Sequence, residues 1–246
     1  MYSVFTYKSV VSTNTVALEH AAAGAVHGTG ILAENQTAGR GRLGKAWHSS
    51  SGQGLYCSII VRPGISPSDY PKLTLVAGLA VQNVVATLIN GEPKLKWPND
   101  IFVNGRKCCG ILAESGNLMG ESPYGVIGIG INILQQRSFF PAELAESATS
   151  LVAEGASPIM PLELFELVRS AVLFRVRQME EEGFAGLLEE WKKHDFLLGK
   201  EMECVSSDGK IVRGLALGPD ADGLLHVRGD NGSIYQVLSG DVRLAK

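Results

Sequence analysis

Residues Gly39-Arg40-Gly41-Arg42-Leu43-Gly44-Lys45-Ala46-Trp47 put three glycines, three cations and one indole into nine positions, a mixture that no core can bury. Such a loop suits an anion. Glycine lets the backbone approach closely and turn through positive φ, the cations neutralise phosphate or carboxylate, and the indole offers a flat face to a planar group. A second segment, Lys96-Trp97-Pro98-Asn99-Asp100, repeats the pairing of cation and indole and then turns. Together the two segments point to a nucleotide site.

Two strands are expected to hold the loop, over residues 30–34 and 54–61, each a short apolar run. Upstream, a strand near residues 5–7 is followed by Ser12-Thr13-Asn14-Thr15, which opens an alanine-rich helix ending near Gly24. The Ser12 and Thr13 hydroxyls read as helix caps. A second helix is expected to begin around Pro71, a first-turn proline, and to end at Asn90-Gly91-Glu92-Pro93. Asn104-Gly105 predicts a two-residue hairpin between residues 100–103 and 108–112, which places Lys96 and Lys107 on neighbouring strands. The run Gly125-Val126-Ile127-Gly128-Ile129-Gly130-Ile131-Asn132 predicts a buried strand whose alternate glycines leave one face bare for a ligand or a helix. No helix opens after it, so it is not a dinucleotide fingerprint. Helical periodicity returns over residues 161–179 and 184–193. Beyond Gly199, short alternating runs separated by Asp208-Gly209, Asp222-Gly223 and Asn231-Gly232 predict a small β-barrel.

Composition bounds the function classes. With 246 residues, 45% hydrophobic and 19% charged, the chain is long enough for one large core, or one core plus a small module. A net charge of −3 and a pI near 6.0 argue against a general nucleic-acid surface, so the basic loop is a small-anion feature. No apolar run approaches the roughly 20 residues of a membrane helix, and the amino terminus lacks a signal-peptide pattern, which places the protein in the cytoplasm. Cys57, Cys108, Cys109 and Cys204 have no zinc spacing and read as buried reduced thiols. The five histidines stand singly and are assigned neither to a metal nor to a general base.

Taken in chain order, Ser12-Thr13-Asn14, Gln36, Gly39-Arg40-Gly41-Arg42 with Gly44 and Trp47, Lys96-Trp97-Pro98-Asn99-Asp100, Lys107, Gly110-Ile111-Leu112 and Gly128-Ile129-Gly130-Ile131-Asn132 resemble the biotin–protein ligases. The resemblance implies an α+β fold: a mixed β-sheet catalytic domain packed with helices over residues 1–198, of the class II synthetase-like kind, then an SH3-like barrel over 199–246. It implies activation of biotin by ATP and Mg2+ to biotinyl-5′-AMP, then transfer to one lysine of a biotin carboxyl carrier protein. By the same resemblance Ser12, Thr13, Asn14 and Gln36 bind the biotin head. Arg40, Gly41 and Arg42 hold its carboxylate and the phosphate, and Lys96 touches both and is the catalytic group together with Arg42. Trp47 covers the adenylate, with Arg40, Arg42, Lys96, Asn99 and Asn132 on the nucleotide side. No metal ligands are implied, and a monomer and a homodimer are both compatible. Only 11 residues precede Ser12, too few for the DNA-reading domain of some relatives, so neither DNA nor membrane is an expected partner.

The chemistry agrees with these residue types. A carboxylate must attack an α-phosphate, and two like charges about 4 Å apart repel by roughly 4 kcal/mol at an effective dielectric near 20, so cations come first. Little proton transfer is needed, which fits the lack of a His–acid pair. Trp97 alternates away from Lys96 and reads as packing, and Asp100 reads either as a hairpin cap or as the base for the acceptor lysine. Leu43 and Lys45 stand where many relatives carry arginine, and Cys108-Cys109 occupies a usually apolar stretch. The alternatives are a lipoate or octanoate ligase or transferase of the same superfamily, and a non-catalytic biotin-binding sensor.

Overall fold

The computed structural model describes residues 2–117, 122–206, 211–238 and 240–245. Seven strands form the main sheet: β1 (Val4–Tyr7), β2 (Gly30–Ala33), β3 (Gly54–Val61), β4 (Lys94–Lys96), β5 (Asp100–Val103), β6 (Arg106–Gly116) and β7 (Tyr124–Asn132), in the order β1-β2-β3-β7-β6-β5-β4. β1 and β2 run parallel and every other pair is antiparallel, so the sheet is mixed as expected. β5 lies between β4 and β6. Lys96 and Lys107 are therefore two strands apart, not on neighbouring strands, because the hairpin at Asn104-Gly105 returns β6 along the far side of β5.

The helices α1 (Thr13–Ala22), α2 (Leu73–Leu88) and α3 (Pro161–Glu182) cover the sheet, and α4 (Ala185–Lys193) packs against α2. β3 is buried at every residue, as continuous apolar strands are when both faces are covered. Alternation divides the work. Ile31, Ile60 and Val126 pack with Ala17 and Ala21 of α1, while Ile59, Val61, Ile127, Ile129 and Ile131 pack with the apolar faces of α2 and α3. Only part of the first face is taken by α1, and the rest of it carries the site.

α2 begins at Leu73, two residues past Pro71, continuing a 3₁₀ turn over Pro67–Lys72 that contains this proline, so the helix starts about where the first-turn proline predicts. The segment Pro67–Leu88 is, by length and composition, able to cross a bilayer, contrary to the expectation that no run approaches that size. It is a core element here, with 61% of its most apolar window buried.

A second sheet holds β8 (Glu201–Ser206), β9 (Ile211–Pro219), β10 (Leu225–Arg228), β11 (Ile234–Val237) and β12 (Gly240–Leu244), all antiparallel, in the order β11-β10-β9-β8-β12. β12 adds a strand to the four runs expected from the sequence: Asp241-Val242-Arg243-Leu244 alternates, but only over four residues, the lower limit of a strand signal. Gly223 and Gly232 adopt φ of 79° and 77°, as the turn reading requires, and Asp208-Gly209 lies outside the described residues. This sheet is tied to the first where Trp97 Nε1 donates to the Gly223 carbonyl at 2.9 Å, a packing role for that indole as its alternation predicts.

Candidate active site

The floor of the site is made by absent side chains. Gly128 and Gly130 face away from the isoleucines between and beside them on β7, and Gly110 of the adjacent β6 pairs with Gly130. A Cβ on Gly128 would stand 2.1 Å from Asn14 Oδ1, one on Gly130 2.4 Å from the Trp47 indole, and one on Gly110 2.8 Å from the same ring. Asn14 and Trp47 thus lie in two adjoining beds that only glycine can provide, as the glycine spacing predicts.

Around the first bed, buried polar groups satisfy one another. Thr13 donates to Gln36 Oε1 through its N–H at 2.8 Å and its hydroxyl at 3.2 Å. Gln36 Nε2 donates to Ser49 Oγ at 3.0 Å. Ser58 Oγ lies 2.9 Å from Thr13 Oγ1 and 2.6 Å from Asn14 Oδ1, to which it donates. Asn14 Nδ2 donates to the Leu112 carbonyl at 3.1 Å and to Glu114 at 2.7 Å. Ser12 occupies the N-cap of α1 but its side chain makes no cap bond, and the Thr13 N–H is met by Gln36 instead. The capping expectation is corrected: these hydroxyls face the cleft because a side chain from beyond β2 serves the helix end.

The glycine-basic loop folds on itself. Gly41 N–H reaches the Lys45 carbonyl at 2.7 Å, Trp47 N–H the Gly39 carbonyl at 2.9 Å, and Leu43 and Gly44 turn through φ of 53° and 73°. A leucine in the left-handed region carries strain of order 1 kcal/mol, a feature that gathers at functional loops. Arg40 leaves this loop to pair with Glu114 at 2.8 Å. Burial lowers the proton affinity of Arg42, and the Asp100 carboxylate partly restores it.

Cations converge on the second bed. The Lys107 ammonium sits 5.4 Å from the centre of the Trp47 ring and 2.6 Å from Asp100 Oδ1. Lys96 stands 4.9 Å over the Phe102 ring. Asn99 Nδ2 donates to the Ile111 carbonyl at 2.8 Å, and Asn132 Nδ2 to the Thr149 carbonyl at 2.9 Å, so both amides brace the wall. Burial pushes the Cys108 thiol up to about 12 and also raises the Cys57 and Cys109 thiols, which leaves them as protonated filler.

Most of these groups open on one cleft of about 380 Å3, within the usual range for small-molecule sites, while Ser49, Ser58, Glu114 and the two adjacent cysteines stand behind its lining. Ser12, Thr13, Asn14, Gln36, Arg40, Gly41, Arg42, Trp47, Lys96, Asn99 and Asn132 all line it, from parts of the chain far apart in sequence. Sequence reasoning assigned no role to Lys107, Ser58 or Glu114, nor to Gly240 and Val242, which bring β12 to the rim. Lys107 carried a signal, because it belongs to the motif series.

Residues 7–132 match the model of the biotin/lipoate A/B protein ligase family, and residues 197–244 that of the biotin protein ligase C terminal domain. The chain belongs to the biotin/lipoate A/B protein ligase family. It is 36% identical over 239 residues to the bifunctional ligase/repressor BirA of Bacillus spizizenii, covering 97% of this chain and 73% of that protein. It is 34% identical over 243 residues to a biotin–acetyl-CoA-carboxylase ligase of Mycobacterium tuberculosis, covering 94% and 85%. The solved biotin protein ligase of Aquifex aeolicus in complex with biotin and ATP matches with a TM-score of 0.83 at 27% identity over 100% of each chain. In this family member the glycine beds, the polar circuit and the cations therefore occupy the domain that defines the family.

Proposed function

We propose that the cleft is the active site of an ATP-dependent biotin protein ligase acting in the cytoplasm on a lysine of a biotin carboxyl carrier protein. One observation supports this best: a chain of hydrogen-bonded amides and hydroxyls adjoins an indole bed beside Lys107, in a cleft that Arg42 and Lys96 also line. The circuit suits a ureido head, which offers two N–H donors and one acceptor that a buried wall must answer. Lipoate and octanoate have no such group.

In the first step the biotin carboxylate oxygen attacks the α-phosphorus, the bond to the bridging oxygen breaks, and pyrophosphate leaves with the electron pair. Arg40, Arg42, Lys96 and Lys107 neutralise the meeting acids, and Trp47 covers the adenine side. In the second step the neutral amine of the carrier lysine attacks the acyl carbon, AMP departs and the nitrogen loses a proton. Asp100 is ion-paired with Lys107, which suits it better to orienting that ammonium than to serving as the base. Among the described residues no group of three acidic, histidine or cysteine side chains forms a metal cage. Magnesium would arrive with the ATP, held through phosphate oxygens and water. Asn99 and Asn132 shape the nucleotide wall, and the catalytic domain extends over residues 1–198.

The test is incorporation of label from [α-32P]ATP into biotinyl-adenylate, with biotin or lipoate as the acid, in the presence and absence of a carrier domain. Label appearing only with biotin, and biotin passing to the carrier, supports the proposal. Adenylation of lipoate instead, or biotin binding without adenylate, favours the alternatives.

A further inference from the structure

Glu114 stands near the C-terminal end of β6, and no part of the proposed reaction uses it. A carboxylate is an unwelcome neighbour where an acid and a triphosphate must bind, so its retention needs a reason. Its Oε2 accepts two hydrogen bonds at once: from Asn14 Nδ2 at 2.7 Å, on the floor, and from Arg40 Nη2 at 2.8 Å, in the glycine-basic loop. Asn14 cannot give way, because it is pressed onto Gly128 and held by Ser58 and the Leu112 carbonyl. The loop end can: the Arg40 side chain is 43% exposed and that of Glu114 26%, so the pair is wet and open to competition.

We infer that Glu114 is a positioning residue that anchors Arg40 to the floor of the cleft and yields it to an arriving anion. Resting on the proposed function, this makes Glu114 a placeholder for the substrate carboxylate or phosphate: the same guanidinium fork fits either acid. The anchor preorganises the loop, and because the bond given up resembles the bond gained, the transfer costs little. Asn14 shares the oxygen, so the loop and the floor on which the biotin head would lie are linked through one atom.

Limited trypsin digestion reads the loop directly, since Arg40, Arg42 and Lys45 are cleavage points within it. Glu114→Gln keeps an acceptor for Asn14 but removes the charge. Without ligand and at low ionic strength, cleavage in the loop is expected to be about two- to fivefold faster in Glu114→Gln than in the unaltered protein, the range an exposed ion pair supplies. The gap should close in about 0.5 M salt, as screening dissolves the pair. Equal rates at low salt, or a gap that survives high salt, overturn the inference. Should the variant not fold, the unaltered protein alone decides: a rate that climbs with salt supports the anchor, and a flat one overturns it. Biotin added to both proteins is expected to bring them to one common rate. If it changes nothing, the proposed function fails, while the ligand-free rates still judge the anchor.

Discussion

The Trp47 indole lies where Gly130 has no side chain: a Cβ at Gly130 would come within 2.4 Å of the ring, and Gly110, paired with Gly130 across the sheet, would add a second collision at 2.8 Å. The seat of the indole is thus a property of the strands and not of the loop that carries it. Gly130→Ala must displace the ring, at a cost of about 1–3 kcal/mol for an overpacked contact. The expected result is a KM for ATP raised about five- to 150-fold by that energy, with biotin affinity changed less than twofold. Gly128→Ala should do the reverse, since its Cβ would strike Asn14. Pyrophosphate release titrated with each substrate checks both, and a variant pair with identical profiles would contradict the two-bed reading.

Lys96 and Lys107 divide the second bed from opposite sides of β5, and each is expected to matter for chemistry more than for binding. Removing one charge aimed at developing phosphate charge typically costs about 10²–10³ in rate. Lys96→Ala and Lys107→Ala should each lose adenylation on that scale while the biotin isotherm moves by less than about tenfold. The Lys107 change also strips Asp100 of its partner, so Lys107→Ala with Asp100→Asn should recover part of the folding stability but none of the rate. Thermal midpoints beside pyrophosphate release test this, and recovered rate would show that Lys107 acts through Asp100 alone.

Much of this site was legible because its pieces are local in sequence. The glycines on alternate positions of β7, the Asn104-Gly105 hairpin and the basic loop each carry their meaning within about ten residues. Glu114 does not: its partners Asn14 and Arg40 lie 100 and 74 positions away, so nothing near it marks a glutamate in an otherwise ordinary strand. Lys107 was visible in its motif, yet its role depends on the hairpin register, which shifts between Ile101 and Phe102. The Ser12 and Thr13 hydroxyls misled for a similar reason. Capping is a local rule, and Gln36, which answers the Thr13 N–H, arrives from a loop 23 residues on.

The glycine-basic loop has to keep water and stray amines from a mixed anhydride, and Arg42 is its most buried cation by the desolvation it suffers. Arg42→Gly removes the charge and also frees a turn already strained at Leu43. Biotinyl-adenylate is expected to escape and to label lysines of unrelated proteins in the same tube. A streptavidin blot against added serum albumin measures the leak. Strict carrier specificity in a variant that still makes adenylate would contradict it.

Asp195 lies where α4 leads into the second sheet, and burial pushes its carboxyl up to about 6 from an ordinary 3.8. Its Oδ1 accepts the Leu197 N–H at 2.8 Å, whereas Oδ2 is buried without a hydrogen bond, 3.5 Å from where Gly218 would carry a Cβ. Between these two values the folded chain holds a proton that the unfolded chain has released. Stability therefore falls as pH rises from about 4 to about 6, and stays lower above. Asp195→Asn keeps the Oδ1 acceptor and has no charge to desolvate, so it should stabilise the protein at pH 8 by about 1–3 kcal/mol and change little near pH 4. Urea unfolding at the two pH values gives the comparison. An equal shift at both would mean that the carboxyl ionises without penalty, and that the turn into the second sheet tolerates charge.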